Sequence, residues 1–432
     1  MAETVERPNR IVSDEETLLE ELKKEYNFRA SFKTWKHASS LKESEENILS
    51  MLDFYPEGDE SRRCETMDVD IGSGNSIHEF CIENTKESDR DYCRDMVLVH
   101  GYGAALGLFI RNFDGLSQIP GIRLHAIDML GYGLSSRPKF PGTGFLTSFW
   151  KKREVTKEDV LLAEDFFIDS IETWRHKRHL DKFVLVGHSL GGYLSCRYAL
   201  KYPERVEKLI LVSPVGVETS IFDLTKKHTA THEHAAELGP DVAQELKVVP
   251  ENSTTDKPVQ PSSSFHVPNE SGHVERIPNL PKIVRIIWEN NISPFGILRS
   301  VGPWGPLLCS RWSFRRFSHC GDKEQVMKFH DYAYNTFNAR GSGEYALTRI
   351  LAPGVLARIP LLSCAPKNLK CESLWMYGSH DWMSKEAGSV IVKELNKAGN
   401  TADYSVVSDA GHHLYLDNPH EFNQKLRNFL NV

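Results

Sequence analysis

The sequence predicts an α/β fold: a mostly parallel central sheet with helices on both faces, interrupted by a mostly helical cap. Three observations predict it. Near-continuous apolar runs at Met96–Val99, Leu124–Ile127, Phe183–Val186 and Leu209–Val212 suit strands of a parallel sheet buried on both faces, with helical segments between them, notably 157–178 and 190–202. A sharp turn, Gly187-His188-Ser189-Leu190-Gly191-Gly192, joins one such strand directly to one such helix. The alternation stops over 217–365 and resumes with a strand at Ser373–Tyr377, a helix at 385–397, a strand at Asp403–Val407 and a last helix at 419–430, so the cap interrupts the sheet domain.

Taken in order, residues 1–12 read as a disordered tail and 13–54 as helix, with Ser13 or Asp14 as N-cap and Glu16 in the first turn. Its apolar stripe is broken: Leu18, Leu19, Leu22 and Tyr26, then Ile48, Leu49 and Leu52. Met67–Asp70 and Ile77–Phe80 alternate in character around Gly72-Ser73-Gly74-Asn75, which reads as a hairpin. The expected divisions are 1–60, tail and helices; 61–216, the first part of the sheet domain; 217–365, the cap, with a flexible Ser/Thr/Pro/Asn-rich loop near 250–273; and 366–432, the second part.

Bulk composition narrows the function classes. A chain of 432 residues can bury a large core, and 26% charged with 40% hydrophobic residues is ordinary for a globular protein. The net charge of −7 argues against a nucleic-acid partner. The cysteines form no Cys-x-x-Cys pair, so neither a zinc knuckle nor a redox motif is expected. No apolar run reaches the length of a membrane span. The acidic opening argues against a cleaved mitochondrial presequence. His228, His232 and His234 lack the spacing of a zinc motif. No metal and no organic cofactor are expected.

The chemistry centres on Ser189. Strand, Gly-x-Ser-x-Gly and helix in succession make a nucleophile elbow, a turn too sharp for side chains at the flanking positions. A serine needs a base, and the base needs an orienting acid. Asp381 follows the strand Ser373–Tyr377 and His412 follows the strand ending at Val407, in the Ser–Asp–His order of α/β-hydrolases. His412 is preferred to His413 because it directly follows Gly411, and His380 reads as a supporting or surface residue. The oxyanion of an acyl transfer requires two N–H donors, assigned to Leu190, after the nucleophile, and Tyr102, in the loop His100-Gly101-Tyr102-Gly103.

These motifs, with Asp128-Met129-Leu130-Gly131-Tyr132-Gly133-Leu134-Ser135-Ser136-Arg137-Pro138, Gly302-Pro303-Trp304-Gly305-Pro306 and His412-x4-Asp417, resemble one α/β-hydrolase subfamily acting on phospholipids. It includes the fungal cardiolipin-specific deacylase, the animal N-acylphosphatidylethanolamine lipase, and soluble plant and fungal proteins credited with lysophosphatidic acid acyltransferase activity. The likeness runs from about residue 45 to the C-terminus, except near 220–275. It implies hydrolysis of a fatty acyl ester, with cardiolipin as the leading substrate, at a membrane or lipid surface. It also implies mitochondria, with the cytoplasm or the surface of lipid droplets as alternatives.

Two further readings stay open. In membrane-bound glycerolipid acyltransferases a His-x4-Asp motif is the catalytic pair, so His412 and Asp417 raise a CoA-dependent lysophosphatidic acid acyltransferase, with acyl-CoA as a second ligand. Asp417 also reads as a cap for the helix beginning near Pro419. Some members of the subfamily lack the serine and act as lipase co-activators, whereas this chain keeps Ser189. Aromatic residues stand beside basic ones in Phe145–Arg153 and Arg311–Phe317, a mixture suited to anionic lipid.

Overall fold

A computed structural model of the chain describes residues 9–86, 94–140, 154–226, 269–274, 288 and 290–432. The main sheet is built from β1 (Arg62–Gly72), β2 (Asn75–Asn84), β3 (Arg94–Val99), β4 (Ile122–Ile127), β5 (Phe183–His188), β6 (Val206–Val212), β7 (Glu372–Gly378) and β8 (Ala402–Val407). Their order across the sheet is β1-β2-β4-β3-β5-β6-β7-β8. The hairpin β1–β2 is antiparallel in the register Val69↔Ile77, β2 and β4 are antiparallel, and all other pairings are parallel.

Successive side chains of a strand point to opposite faces. Met96 and Leu98 of β3 accordingly enter one apolar cluster, and Val97 and Val99 another. On the first face lie α4 (Ile110–Ser117) and α11 (Pro419–Leu430), through Phe113, Leu116, Phe422 and Leu426. On the second lie α5 (Lys157–Lys177), α6 (Leu190–Lys201) and α10 (Lys385–Lys397), through Phe167, Trp174, Tyr198 and Ile391.

The N-terminal region differs from the single helix expected over 13–54. It forms α1 (Asn9–Glu25), α2 (Phe28–Lys36) and α3 (Leu41–Leu49), so residues 9–12 are helical and Ser13 and Asp14 lie inside α1. Local capping explains the breaks. The Asn27 side chain accepts from the Arg29 N–H at 2.9 Å and starts α2; Ser40 and Glu43 close a reciprocal capping box and start α3.

The cap contains α7 (Pro294–Ser300), α8 (Trp304–Phe317) and α9 (Lys323–Asn338). It is not free of strands. Thr219–Ser220 pairs parallel with His273–Val274, and Leu351–Ala352 antiparallel with Leu356–Ala357; strands of two residues carry no readable periodicity. The Asn269 side chain accepts from the N–H groups of Ser271 and His273, so the end of the expected 250–273 loop is an Asx turn. The rest of that loop, Phe145–Arg153, and His228, His232 and His234 lie outside the described residues. The cap shares its core with the rest of the chain: Phe314, Phe317, Phe329 and Tyr332 join the cluster that holds Leu22, Ile48 and the sheet. The Tyr332 hydroxyl donates to buried Glu45 at 3.3 Å and accepts from the Gly107 N–H at 3.0 Å, tying α9 to α3 and to the segment before α4.

Candidate active site

Ser189 stands between β5 and α6 at φ +54° and ψ −116°, backbone that L-residues avoid. The surroundings over-determine it. The Ser189 N–H donates to the Val212 carbonyl at 2.9 Å, and its own carbonyl accepts from Tyr193 and Val215. A Cβ at Gly191 would lie 2.2 Å from the His100 carbonyl oxygen, so only glycine lets α6 start so close to the loop after β3.

Three strand ends supply the facing groups. His412 Nε2 lies 2.9 Å from Ser189 Oγ, and His412 Nδ1 lies 3.3 Å from Asp381 Oδ1. Asp381 follows β7, His412 follows β8, and both stand at the C-terminal edge of the sheet, where open α/β sheets gather ligands. Burial pushes the Asp381 carboxyl up, but hydrogen bonds and charge from His412, the Ser213 hydroxyl and the Met383 N–H outweigh it and hold the group below the usual carboxylate range.

Ser213 was not foreseen. Its Oγ lies 2.7 Å from His412 Nδ1, closer than Asp381, and it also donates to Asp381. It occupies the end of β6 at φ +46°, pinned by its N–H to the Met376 carbonyl at 2.7 Å. Its position directly after the run Leu209–Val212 was the available signal. His188 is a second unforeseen support. Burial drives its pKa well down, so the ring is neutral, and its Nε2–H donates to the His412 carbonyl at 2.9 Å.

The Leu190 amide opens α6, where a helix leaves its first N–H groups free. Neither it nor the Tyr102 amide finds an acceptor among the described residues. The Tyr102 loop is held rigidly. Burial keeps His100 neutral; its Nδ1–H donates to the Gly101 carbonyl at 2.8 Å while Nε2 accepts from the Met129 N–H at 3.1 Å. A Cβ at Gly101 would lie 3.0 Å from the Ser189 Cβ, so the loop passes directly beside the serine. From the cap, Phe295 of α7 stacks on the Tyr102 ring at 5.2 Å.

Asp417 is not the cap of the last helix. The cap of α11 is Asn418, which accepts from the Glu421 N–H at 3.3 Å. The Asp417 carboxylate instead accepts from the Gly411 N–H at 2.8 Å, Arg316 Nη1 at 2.8 Å and His319 Nε2 at 3.1 Å. Burial raises its pKa, but His319, Arg316 and the Gly411 amide together lower it below the usual range. The His412 ring bonds to Ser189, Asp381 and Ser213, not to Asp417. His413 is partly buried against Arg316, whose Nε donates to its Nδ1 at 3.2 Å, and His380 is exposed. Among the described residues, Glu79, Cys81 and His125 form a group of metal-ligand types, but Glu79 is already held by His125 at 2.6 Å, Arg178 at 3.1 Å and Trp174 at 2.9 Å.

The geometry can be set beside known proteins. A family model described as the alpha/beta hydrolase fold matches residues 96–263. The 1-acylglycerol-3-phosphate O-acyltransferase ICT1 of Saccharomyces cerevisiae is 34% identical over 78% of this chain and 82% of its own length. The (lyso)-N-acylphosphatidylethanolamine lipase of Bos taurus is 31% identical over 76% of each chain. A 1-acylglycerol-3-phosphate O-acyltransferase of Arabidopsis thaliana is 32% identical over 75% of this chain, which spans only 63% of that protein. Among solved structures, a bromoperoxidase from Bacillus anthracis covers 85% of this chain and 100% of itself at a TM-score of 0.50 and 16% identity, a likeness of fold alone.

Proposed function

The chain belongs to the α/β-hydrolase fold family, and on that premise we propose that it is a serine acyl hydrolase cleaving a fatty acyl ester of a phospholipid. The observation that carries the reading is the 2.9 Å contact between His412 Nε2 and Ser189 Oγ on a strained elbow. In this mechanism His412 takes the Ser189 proton as Oγ attacks the ester carbonyl. Nδ1–H donates to Ser213 and Asp381, whose negative charge stabilises the imidazolium. The Leu190 and Tyr102 amides receive the oxyanion, each contributing about 3 kcal/mol to the transition state. His412 returns the proton to the departing lysophospholipid oxygen, and water then releases the fatty acid. The substrate class is supported by the relatives, a (lyso)-N-acylphosphatidylethanolamine lipase and a 1-acylglycerol-3-phosphate O-acyltransferase. Cardiolipin and a mitochondrial membrane follow only from the subfamily resemblance; lipidomics and imaging of an intact fusion test them.

The acyltransferase names favour a second reading. The same acyl-enzyme would be released by a lysolipid hydroxyl instead of water, with acyl-CoA as donor. The intact Ser189–His412 contact speaks against a purely non-catalytic co-activator.

Fatty acid release from phospholipid–detergent micelles, cardiolipin included, tests the proposal. Ser189→Ala is expected to lower it by about a thousandfold or more. Undiminished release from Ser189→Ala overturns the mechanism. Acyl-CoA consumption that depends on lysophosphatidic acid, without fatty acid release from phospholipid, favours the transferase.

A further inference from the structure

Six large apolar side chains on two neighbouring helices face solvent. They are Phe28, Phe32 and Trp35 on α2 and Trp304, Leu308 and Trp312 on α8, each exposed by 41–54%. They form one surface. The Phe28 and Trp304 rings meet at 4.5 Å, and the buried Ser31 hydroxyl donates to the Pro303 carbonyl at 2.6 Å, fixing the helices side by side. Each helix spends its opposite face on the core. Tyr26 and Ala30 pack inward beside α2, and Cys309, Phe314 and Phe317 do so on α8.

Charge says what covers this surface. The sequence of α2 carries Arg29, Lys33 and Lys36, and that of α8 carries Arg311, Arg315 and Arg316; neither helix contains an acidic residue. The whole chain has a net charge of −7. Arg316 is engaged by Asp417, whereas Arg29, Lys33, Lys36, Arg311 and Arg315 are exposed around the aromatic rings. Rings that sit at headgroup level with cations that meet phosphates are what an anionic lipid layer binds. A second copy docked face to face would set these bases against one another.

We propose that the joined faces of α2 and α8 dock the protein on an anionic phospholipid layer. The choice of lipid rests in part on the reading of Ser189 as a phospholipid hydrolase. The surface also borders that site: α7, just before α8, stacks Phe295 on Tyr102, and the C-terminal end of α8 holds Asp417 beside Gly411 and His412. A docked molecule therefore brings both flanking loops of Ser189 toward the layer.

Flotation with vesicles of phosphatidylcholine, with and without phosphatidylglycerol, tests this. The wild type is expected to float with the anionic vesicles and far less with the neutral ones. Trp304→Ala with Trp312→Ala should lower partitioning about tenfold. Lys33→Glu with Arg315→Glu should lower it more than about tenfold and erase the preference for phosphatidylglycerol. Leu162→Ala, an exposed leucine on α5, should change nothing. Turnover of a soluble short-chain ester should stay within about twofold of wild type in every variant, since none of these residues touches Ser189. Wild type that floats with neither vesicle, or variants that float like wild type, overturn the docking surface. So does a wild-type dimer that the variants dissociate while still floating. A wild type that floats but cleaves no ester leaves the docking in place and overturns the reading of Ser189.

Discussion

At Ser213 one hydroxyl touches both partners of the proposed charge pair. The Nδ1–H of His412 has Ser213 at 2.7 Å and Asp381 at 3.3 Å, so the serine carries part of the orienting work assigned from sequence to the aspartate alone. Glycine is the informative substitution, because φ +46° suits it and no side chain is forced into a worse conformation. Ser213→Gly is expected to lower kcat about fivefold at unchanged KM, the cost of one neutral hydrogen bond. The thermal midpoint should move by no more than about 2 °C. A parallel loss of midpoint and activity would make Ser213 a packing residue only. The approach of Ser189, Asp381 and His412 was legible because Ser189 sits in a Gly-x-Ser-x-Gly turn after an apolar run and the other two follow later strands in the Ser–Asp–His order. Ser213 follows an equally clear run, but a serine at a strand end is common and its hydroxyl says nothing until the neighbouring strands are in place.

At the scale of elements, the contact between α8 and the loop before α11 matters most. Asp417 gathers Gly411, Arg316 and His319 and thereby ties a cap helix to the segment carrying His412. Burial lowers the pKa of His319, but Asp417 and Cys320 outweigh it and raise the group from its ordinary value of 6.5 to about 9. A histidine raised in the folded state contributes stability that is complete below its unfolded pKa and is lost as pH rises through the folded one. His319→Gln is therefore expected to lower the thermal midpoint at pH 6, with the gap from wild type closing across pH 6.5–9 and gone above it. A gap that stays constant over that range removes His319 from the contact. Sequence marked His412-x4-Asp417 as meaningful, but the cap of α11 that one reading assigned to Asp417 is Asn418. Two partners of Asp417, Arg316 on α8 and His319 just after it, lie about a hundred residues away, beyond any local pattern. The same limit explains the N-terminal helices: periodicity located the apolar positions, while Asn27 and Ser40 divided the run into three.

Over the whole molecule, the positions of the buried strands were the most legible property, because burial on both faces writes itself into continuous apolar runs. The cap was the least legible, since its helices are built to fit a surface made by other segments: Phe314, Phe317, Phe329 and Tyr332 share one cluster with the N-terminal helices and the sheet. That shared core predicts a single cooperative thermal transition for cap and sheet together by calorimetry; two resolved transitions would separate them. The sheet order has a further consequence. Ser189 stands between β5 and α6, but its proposed base, His412, comes 223 positions later, after β8 at one edge of the sheet. Long-range parallel pairings are slow to form. In a refolding chain, capture of Ser189 by a fluorophosphonate reagent should then lag the recovery of helical signal, so that reactivity becomes a clock for the docking of a single edge strand.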